Sequence, residues 1–137
     1  MLEKLEDYSS LNTVPSQDSV SKVAEFLEDQ MVSAGVSMKI VFKFNTAIDE
    51  MYANIVRYSG ATKVNVLCAV STDKIVIIFR DNGTPFNPLL QKEPDTSLSL
   101  LERKPGGLGI FMSRKLLSDM SYRYVDNLNE LTMTMLL

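Results

Sequence analysis

Histidine is missing from this 137-residue chain altogether. Its absence removes Ser–His–Asp chemistry, zinc-finger ligand spacings and any phosphohistidine on the chain itself. Acid–base work must then fall to carboxylates, lysine or tyrosine. Cysteine occurs once, as Cys68, so no disulfide can form within one chain. Its apolar neighbours in KVNVLCAV mark a buried structural thiol rather than a nucleophile. There is no run of lysine and arginine, and the formal net charge is −3, so the electrostatic footprint of a DNA- or RNA-binding protein is lacking. No stretch approaches the roughly 18 consecutive apolar residues of a bilayer span, and MLEKLEDYSS is acidic and mixed where a signal peptide would be basic and then apolar. No membrane segment and a cytoplasmic location are expected. Internal repeats and low-complexity tracts are absent too.

What remains is the composition of a folded globular protein, 45% hydrophobic and 23% charged, with room for a single domain over residues 1–137. YSSLNTV reads as a short strand closed by Pro15, with Ser16 as a helix cap. Val20, Val23, Ala24, Leu27 and Met31 then recur on one helical face, and the pattern stops at Gly35. A longer helix carries Ile40, Phe44, Ala47, Ile48, Met51 and Ile55 and ends near Ser59-Gly60. KVNVLCAV and KIVIIFRD are β-branched runs joined through Ser71-Thr72-Asp73, a hairpin whose second strand is apolar enough to be central and covered. Residues 82–106 hold Pro85, Pro88, Pro94 and Pro105 and show no period, as a functional loop or lid would. A helix from about Gly107 to Asp119 follows. Two closing strands, MSYRYVD and ELTMTMLL, are joined by a turn at Asn127 to Asn129. This order predicts an α+β fold, a two-layer sandwich with helices on one face of a mixed, mainly antiparallel sheet.

Three stretches could carry chemistry. AIDEMYANIVRYSG holds Glu50, Asn54, Arg57 and Tyr58 at spacings that keep them along one side of the second helix, off the core stripe. A polar stripe is also what any solvated helix face looks like. Yet a mid-helix asparagine needs a reason, and a carboxylate one turn from an amide oxygen offers a general base beside a hard-cation ligand. RDNGTPFNP ends the central strand. Asp81 can accept from an exocyclic amine, and Gly83 permits a close approach, although Asp-Asn-Gly is equally an ordinary turn. ERKPGGLGIF places three of the six glycines at a helix start, where unpaired N–H groups favour an anion such as phosphate. The alternative is a plain flexible connection.

In that order, E-x-x-x-N on a helix, D-x-G-x-P-F after a strand and G-G-L-G after a long loop resemble the nucleotide-binding boxes of the GHKL ATPase superfamily. GTPFNP and ERKPGGLGIFMSRKLLSDMSYRY are more closely similar to the bacterial anti-sigma-factor serine/threonine kinases and their ATP-binding relatives, and the resemblance covers nearly the whole chain. It implies the GHKL (Bergerat) fold, ATP and Mg²⁺ as ligands, and a nucleotide lid at about residues 86–108. It further implies that Glu50 is the general base for a partner's serine hydroxyl, that Asn54 coordinates Mg²⁺, and that Asp81 accepts from the adenine amine with Gly83 beside it. Gly106, Gly107, Gly109 and the amide of Leu108 would close over the phosphates, and Arg103 would approach the γ-phosphate. The implied partners are an anti-sigma antagonist protein, a sigma factor and a second copy of the chain. Met51 and Ile55 replace the small residues usual around the asparagine motif, Tyr58 stands where histidine is frequent, and Pro105 stiffens the lid. A non-catalytic ATP-binding interaction module is the second reading, and retention of Glu50 favours the kinase.

Overall fold

The structure, a computed structural model, describes residues 7–90 and 113–137. Five strands form one sheet in the order β1-β2-β3-β5-β4: β1 (Ser9–Thr13), β2 (Val64–Val70), β3 (Lys74–Asp81), β4 (Asp119–Val125) and β5 (Leu128–Leu136). Every neighbouring pair is antiparallel, so the mixed component expected from the sequence is not present among the described residues. α1 (Ser19–Ser33) and α2 (Met38–Asn54) carry the buried residues that pack with the sheet into one core. The two-layer arrangement is as the patterning predicts.

Alternation in the strands decides which face meets the helices. Ile75, Ile77 and Phe79 of β3 join the main core with Val66 and Cys68 of β2 and Met133 of β5, because successive side chains point to opposite faces. Val76 and Ile78 point the other way and form a smaller cluster with Leu67, against which Tyr8 packs. Burial on both faces explains why β3 reads as a continuous apolar run. Phe44 and Phe79 are fully buried, and removing either ring would cost about 3–5 kcal/mol. Tyr52 meets Phe79 edge-on at 5.7 Å between centroids, and its hydroxyl is satisfied by Ser19 Oγ at 2.6 Å.

The helix ends follow local chemistry. α1 begins two residues later than a Ser16 cap predicts, with Asp18 at the cap position and no side-chain bond from it. Ser16 still contributes, because its Oγ accepts from Ser19 N while Ser19 Oγ accepts from Ser16 N. At the other end Gly35 takes φ +82°. The Val36 and Gly35 N–H groups bond back to Met31 and Val32 carbonyls, a Schellman closure that requires the left-handed residue. α2 starts on Ser37, whose side chain accepts from Ile40 N. Its last turn, Ile55–Ser59, is π-helical and stops at Gly60 with φ +65°.

Two expectations near the C-terminus need correction. Residues 113–116 are helical, but the helix does not reach Asp119, where β4 already begins. The final turn is also tighter than predicted. Val125 pairs with Leu128, and Asp126 and Asn127 both have positive φ, as a two-residue type I′ hairpin demands. Leu128 and Asn129 therefore belong to β5. Arg103, Gly106, Gly107, Leu108 and Gly109, and most of the expected lid, lie outside the described residues.

Candidate functional site

Where β3 ends, Asp81 faces the helix layer and is buried, at 4% exposure. Its Oδ1 accepts from Gly83 N at 2.9 Å and from Asn129 Nδ2 at 3.1 Å. Burial pushes its pKa up, and these two donors pull it back only in part. α2 ends opposite. Asn54 is buried on the helix, and its Nδ2 has no hydrogen-bond partner among the described residues. A buried amide left unbonded costs free energy unless something else meets it.

Asn54 and Asp81 line the same hollow, of about 410 Å³, part of it open to solvent. Met51, Ile55 and Ser59 of the α2 end form one wall, Phe86 and Pro88 a second, and Tyr122, Asn129 and Leu131 of the last hairpin a third. The lining is apolar with a few polar groups, the usual character of a small-molecule site. Met51 and Ile55, the bulky residues on either side of Asn54, thus form part of this wall.

Two straps hold the walls together. Thr84 N donates to Ser59 O at 2.8 Å, linking the loop after β3 to the π turn. Asn82 Oδ1 accepts from Thr62 N and Lys63 N, while its Nδ2 donates to Thr62 Oγ1. Gly83 does not line the hollow. A Cβ there would lie 2.7 Å from Ser59 Cβ, 2.8 Å from Ser59 C and closer still to Ser59 O. Its lack of a side chain admits the Ser59 backbone, and this is the close approach that the sequence left unassigned. Ser59 Oγ, for its part, donates to Ile55 O at 2.7 Å inside the π turn. Such turns recur at functional sites because the extra residue redirects side chains.

Glu50 lies elsewhere. It lines a neighbouring, wider concavity of about 750 Å³ with Arg57, Asp49, Gln17 and Thr46. The polar stripe read from the sequence is therefore split, with Asn54 on one hollow and Glu50 and Arg57 on the other. Tyr58 is half exposed. Glu50 Oε2 is buried and has no partner among the described residues. Its neighbour Asp49 has a pKa raised by burial and then by the charge of Glu50.

A residue that the sequence reading did not assign completes the site. Asn129, placed in a turn by its composition, sits in β5 opposite Asp81. Counting back by twos from Met135, Met133 and Leu131 would have put it on the core face.

For a divalent ion, no group of three Asp, Glu or Cys side chains gathers among the described residues. Magnesium held with a polyphosphate needs only one or two protein oxygens. Asn54, which lines the hollow, carries one such oxygen in its Oδ1, whereas its partnerless Nδ2 is a donor and would meet an acceptor such as a phosphate oxygen rather than a cation.

Residues 13–135 match the histidine kinase-like ATPase domain family. The serine/threonine-protein kinase BtrW of Bordetella bronchiseptica is 26% identical over 102 residues, 72% of each chain. Among solved structures, the RsbU and RsbW domains of Rv1364c from Mycobacterium tuberculosis superpose with a TM-score of 0.65 over 93% of this chain, at 16% identity. This chain spans about a third of that one, at 32%. The Acinetobacter baumannii histidine kinase AdeS gives a TM-score of 0.52 at 15% identity, over 92% of this chain and 67% of its own. No helix among the described residues is long and apolar enough to cross a membrane.

Proposed function

The chain belongs to the histidine kinase-like ATPase domain family, and from that premise we propose that it is an ATP-dependent protein serine/threonine kinase of the anti-sigma type. It phosphorylates a serine on an anti-sigma antagonist protein and binds a sigma factor, acting as a homodimer in the cytoplasm. One observation carries the reading: Asn54 on α2 and Asp81 at the end of β3, far apart in the chain, line a single hollow. A purine whose exocyclic amine donates to Asp81 would extend its phosphates toward Asn54. Asn54 would hold Mg²⁺, which neutralises charge on the triphosphate. Gly106, Gly107, Leu108 and Gly109 would enclose the phosphates through their backbone N–H groups, with Arg103 approaching the γ-phosphate.

Glu50 lines the adjoining concavity, which suits an acceptor arriving from a partner rather than from the nucleotide side. Its unpartnered Oε2 would take the serine hydroxyl proton as the serine oxygen bonds to the γ-phosphorus and the bond to the β-phosphate oxygen breaks, releasing ADP. The same separation favours a second reading, a non-catalytic ATP-binding module, should the base never reach the acceptor. Labelled ATP and candidate antagonists from neighbouring genes separate the two. Transfer by the natural protein, lost in Glu50→Gln while ATP with Mg²⁺ still raises the melting temperature of that variant, supports the kinase. ATP binding with no transfer to any antagonist supports the module, and an unchanged melting curve at millimolar ATP overturns both.

A further inference from the structure

Asn129 is 5% exposed and spends its side chain entirely inside the protein. Its Nδ2 lies 3.1 Å from Asp81 Oδ1, 3.0 Å from Thr84 O and 3.3 Å from Gly83 O. Its Oδ1 accepts from Tyr122 O–H at 2.5 Å and from Phe86 N at 3.1 Å. A carboxamide has two N–H donors and two lone pairs, so three acceptors share two donors and both lone pairs are taken. Nothing is left over for a ligand. Asn129 therefore acts on the hollow through what it holds, not by touching a guest.

It holds two things at once. Among the described residues, the two donors that reach the Asp81 carboxylate, from Gly83 and Asn129, fall on Oδ1, which leaves Oδ2 for a guest. Gly83, Thr84 and Phe86, the turn that carries the wall containing Phe86, are pinned to the same amide. Tyr122 is the outer brace: the Phe86 N–H, a donor only, fixes which way that amide faces, and the Tyr122 hydroxyl adds a second hydrogen bond to the same oxygen.

We propose that Asn129 is a positioning residue that sets purine selectivity, by locking Asp81 with one carboxylate oxygen committed to the protein and the other presented to a 6-amino group. The proposal rests on the reading that Asp81 receives the purine amine. An ionised carboxylate accepts only, so a locked Asp81 faces the 6-oxo group of guanine with two acceptors and no proton between them. A swinging Asp81 could instead reach the N1–H and 2-amino group of guanine. Rigidity is what turns acceptance of ATP into rejection of GTP, because leaving buried polar groups unmatched is the strongest discriminator a pocket has.

Dissociation constants for ATP and GTP measured calorimetrically across pH, together with ligand-free melting temperatures, test this on the natural protein, Asn129→Ala and Tyr122→Phe. The ATP-over-GTP preference should fall about tenfold or more in Asn129→Ala, the scale of one hydrogen bond to a charged group. Tyr122→Phe should move it the same way by a smaller factor, about threefold. The acid limb of ATP binding should also move to higher pH in Asn129→Ala, because removing an N–H donor from the ionised carboxylate raises its pKa. A lower melting temperature with preference and acid limb unchanged makes Asn129 a merely structural asparagine and overturns the proposal. If Asn129→Ala does not fold, Tyr122→Phe decides, and an unaltered preference there overturns it equally. Should the natural protein bind ATP while Asp81→Asn leaves affinity and preference intact, the underlying reading of Asp81 fails, and that result is distinct from a failure confined to Asn129.

Discussion

Replacing Gly83 by alanine tests the contact that joins the two walls of the hollow. The φ of Gly83 is not in the left-handed region, so a positive φ does not stand against alanine there; the nearest obstacle is Ser59. Carbon atoms rest about 3.5–4.0 Å apart, whereas the new Cβ would sit 2.7–2.8 Å from Ser59 carbons. The loop must therefore retreat from the π turn by about 1 Å. That retreat stretches the 2.8 Å bond from Thr84 N to Ser59 O beyond useful length. Overpacking contributes about 1–3 kcal/mol and the lost bond about 1 kcal/mol. The sum, about 2–4 kcal/mol, corresponds to a melting temperature lower by about 10 °C for a chain of this size. Gly60 is the internal control. It has φ +65° with nothing within 4 Å of its would-be Cβ, so Gly60→Ala should cost only the left-handed penalty of about 1–2 kcal/mol, and Gly60→Asn should recover part of it. At Gly83, asparagine should bring no relief, because crowding rather than dihedral preference is at stake. Calorimetric melting of the four variants decides the matter. A Gly83→Ala protein that melts with the natural one, or two glycine sites that respond alike to asparagine, would refute the reasoning.

Glu130 is 6% exposed and bridges Arg80 Nε at 2.8 Å and Arg123 Nε at 2.7 Å. Burial raises its pKa, but the bonds and charges of Arg123 and Arg80 outweigh this and leave it below the usual 4.5. With a depressed folded value, the stabilisation is present above the ordinary carboxylate range and is lost as pH falls through the folded pKa. Glu130→Gln should thus cost about 1–3 kcal/mol at pH 7, and the gap to the natural protein should close in acid denaturation profiles below pH 4.5. Tyr52→Phe removes the 2.6 Å bond to Ser19 Oγ while leaving Ser19 its bond to Ser16 O, at a cost of about 1 kcal/mol in urea unfolding. Ser19→Ala should cost more, because it strands the buried Tyr52 hydroxyl and dissolves the Ser16–Ser19 exchange at the start of α1; equal losses would contradict that asymmetry.

Much of the architecture was legible because long periodic segments announce themselves. The stripes of α1 and α2, the β2–β3 hairpin and the central position of β3 follow from spacing alone, and Gly35 and Gly60 mark helix ends by conformation. The errors share one cause, that composition is ambiguous where polar residues occupy buried positions. Asp-Asn-Leu-Asn looks like a loose turn, yet the left-handed tolerance of Asp126 and Asn127 compresses it to two residues and sends Asn129 into the site. Ser16 looked like a cap and instead trades bonds with Ser19. The separation of Glu50 from Asn54 was not visible either. Helical angles put them on one side, but which hollow each borders depends on what packs alongside, with Gln17 beside Glu50 and the β3 loop beside Asn54.

Cys68 lies in β2 between Ser9 of β1 and Ile77 of β3, 2% exposed, with its pKa pushed up by burial to about 12. As the sole thiol, it makes the protein its own reporter. A maleimide or disulfide reagent can modify the molecule only during excursions that part the sheet from the helices or peel β1 away. The labelling rate therefore measures how often the folded state opens, with no dye, tag or engineered site added.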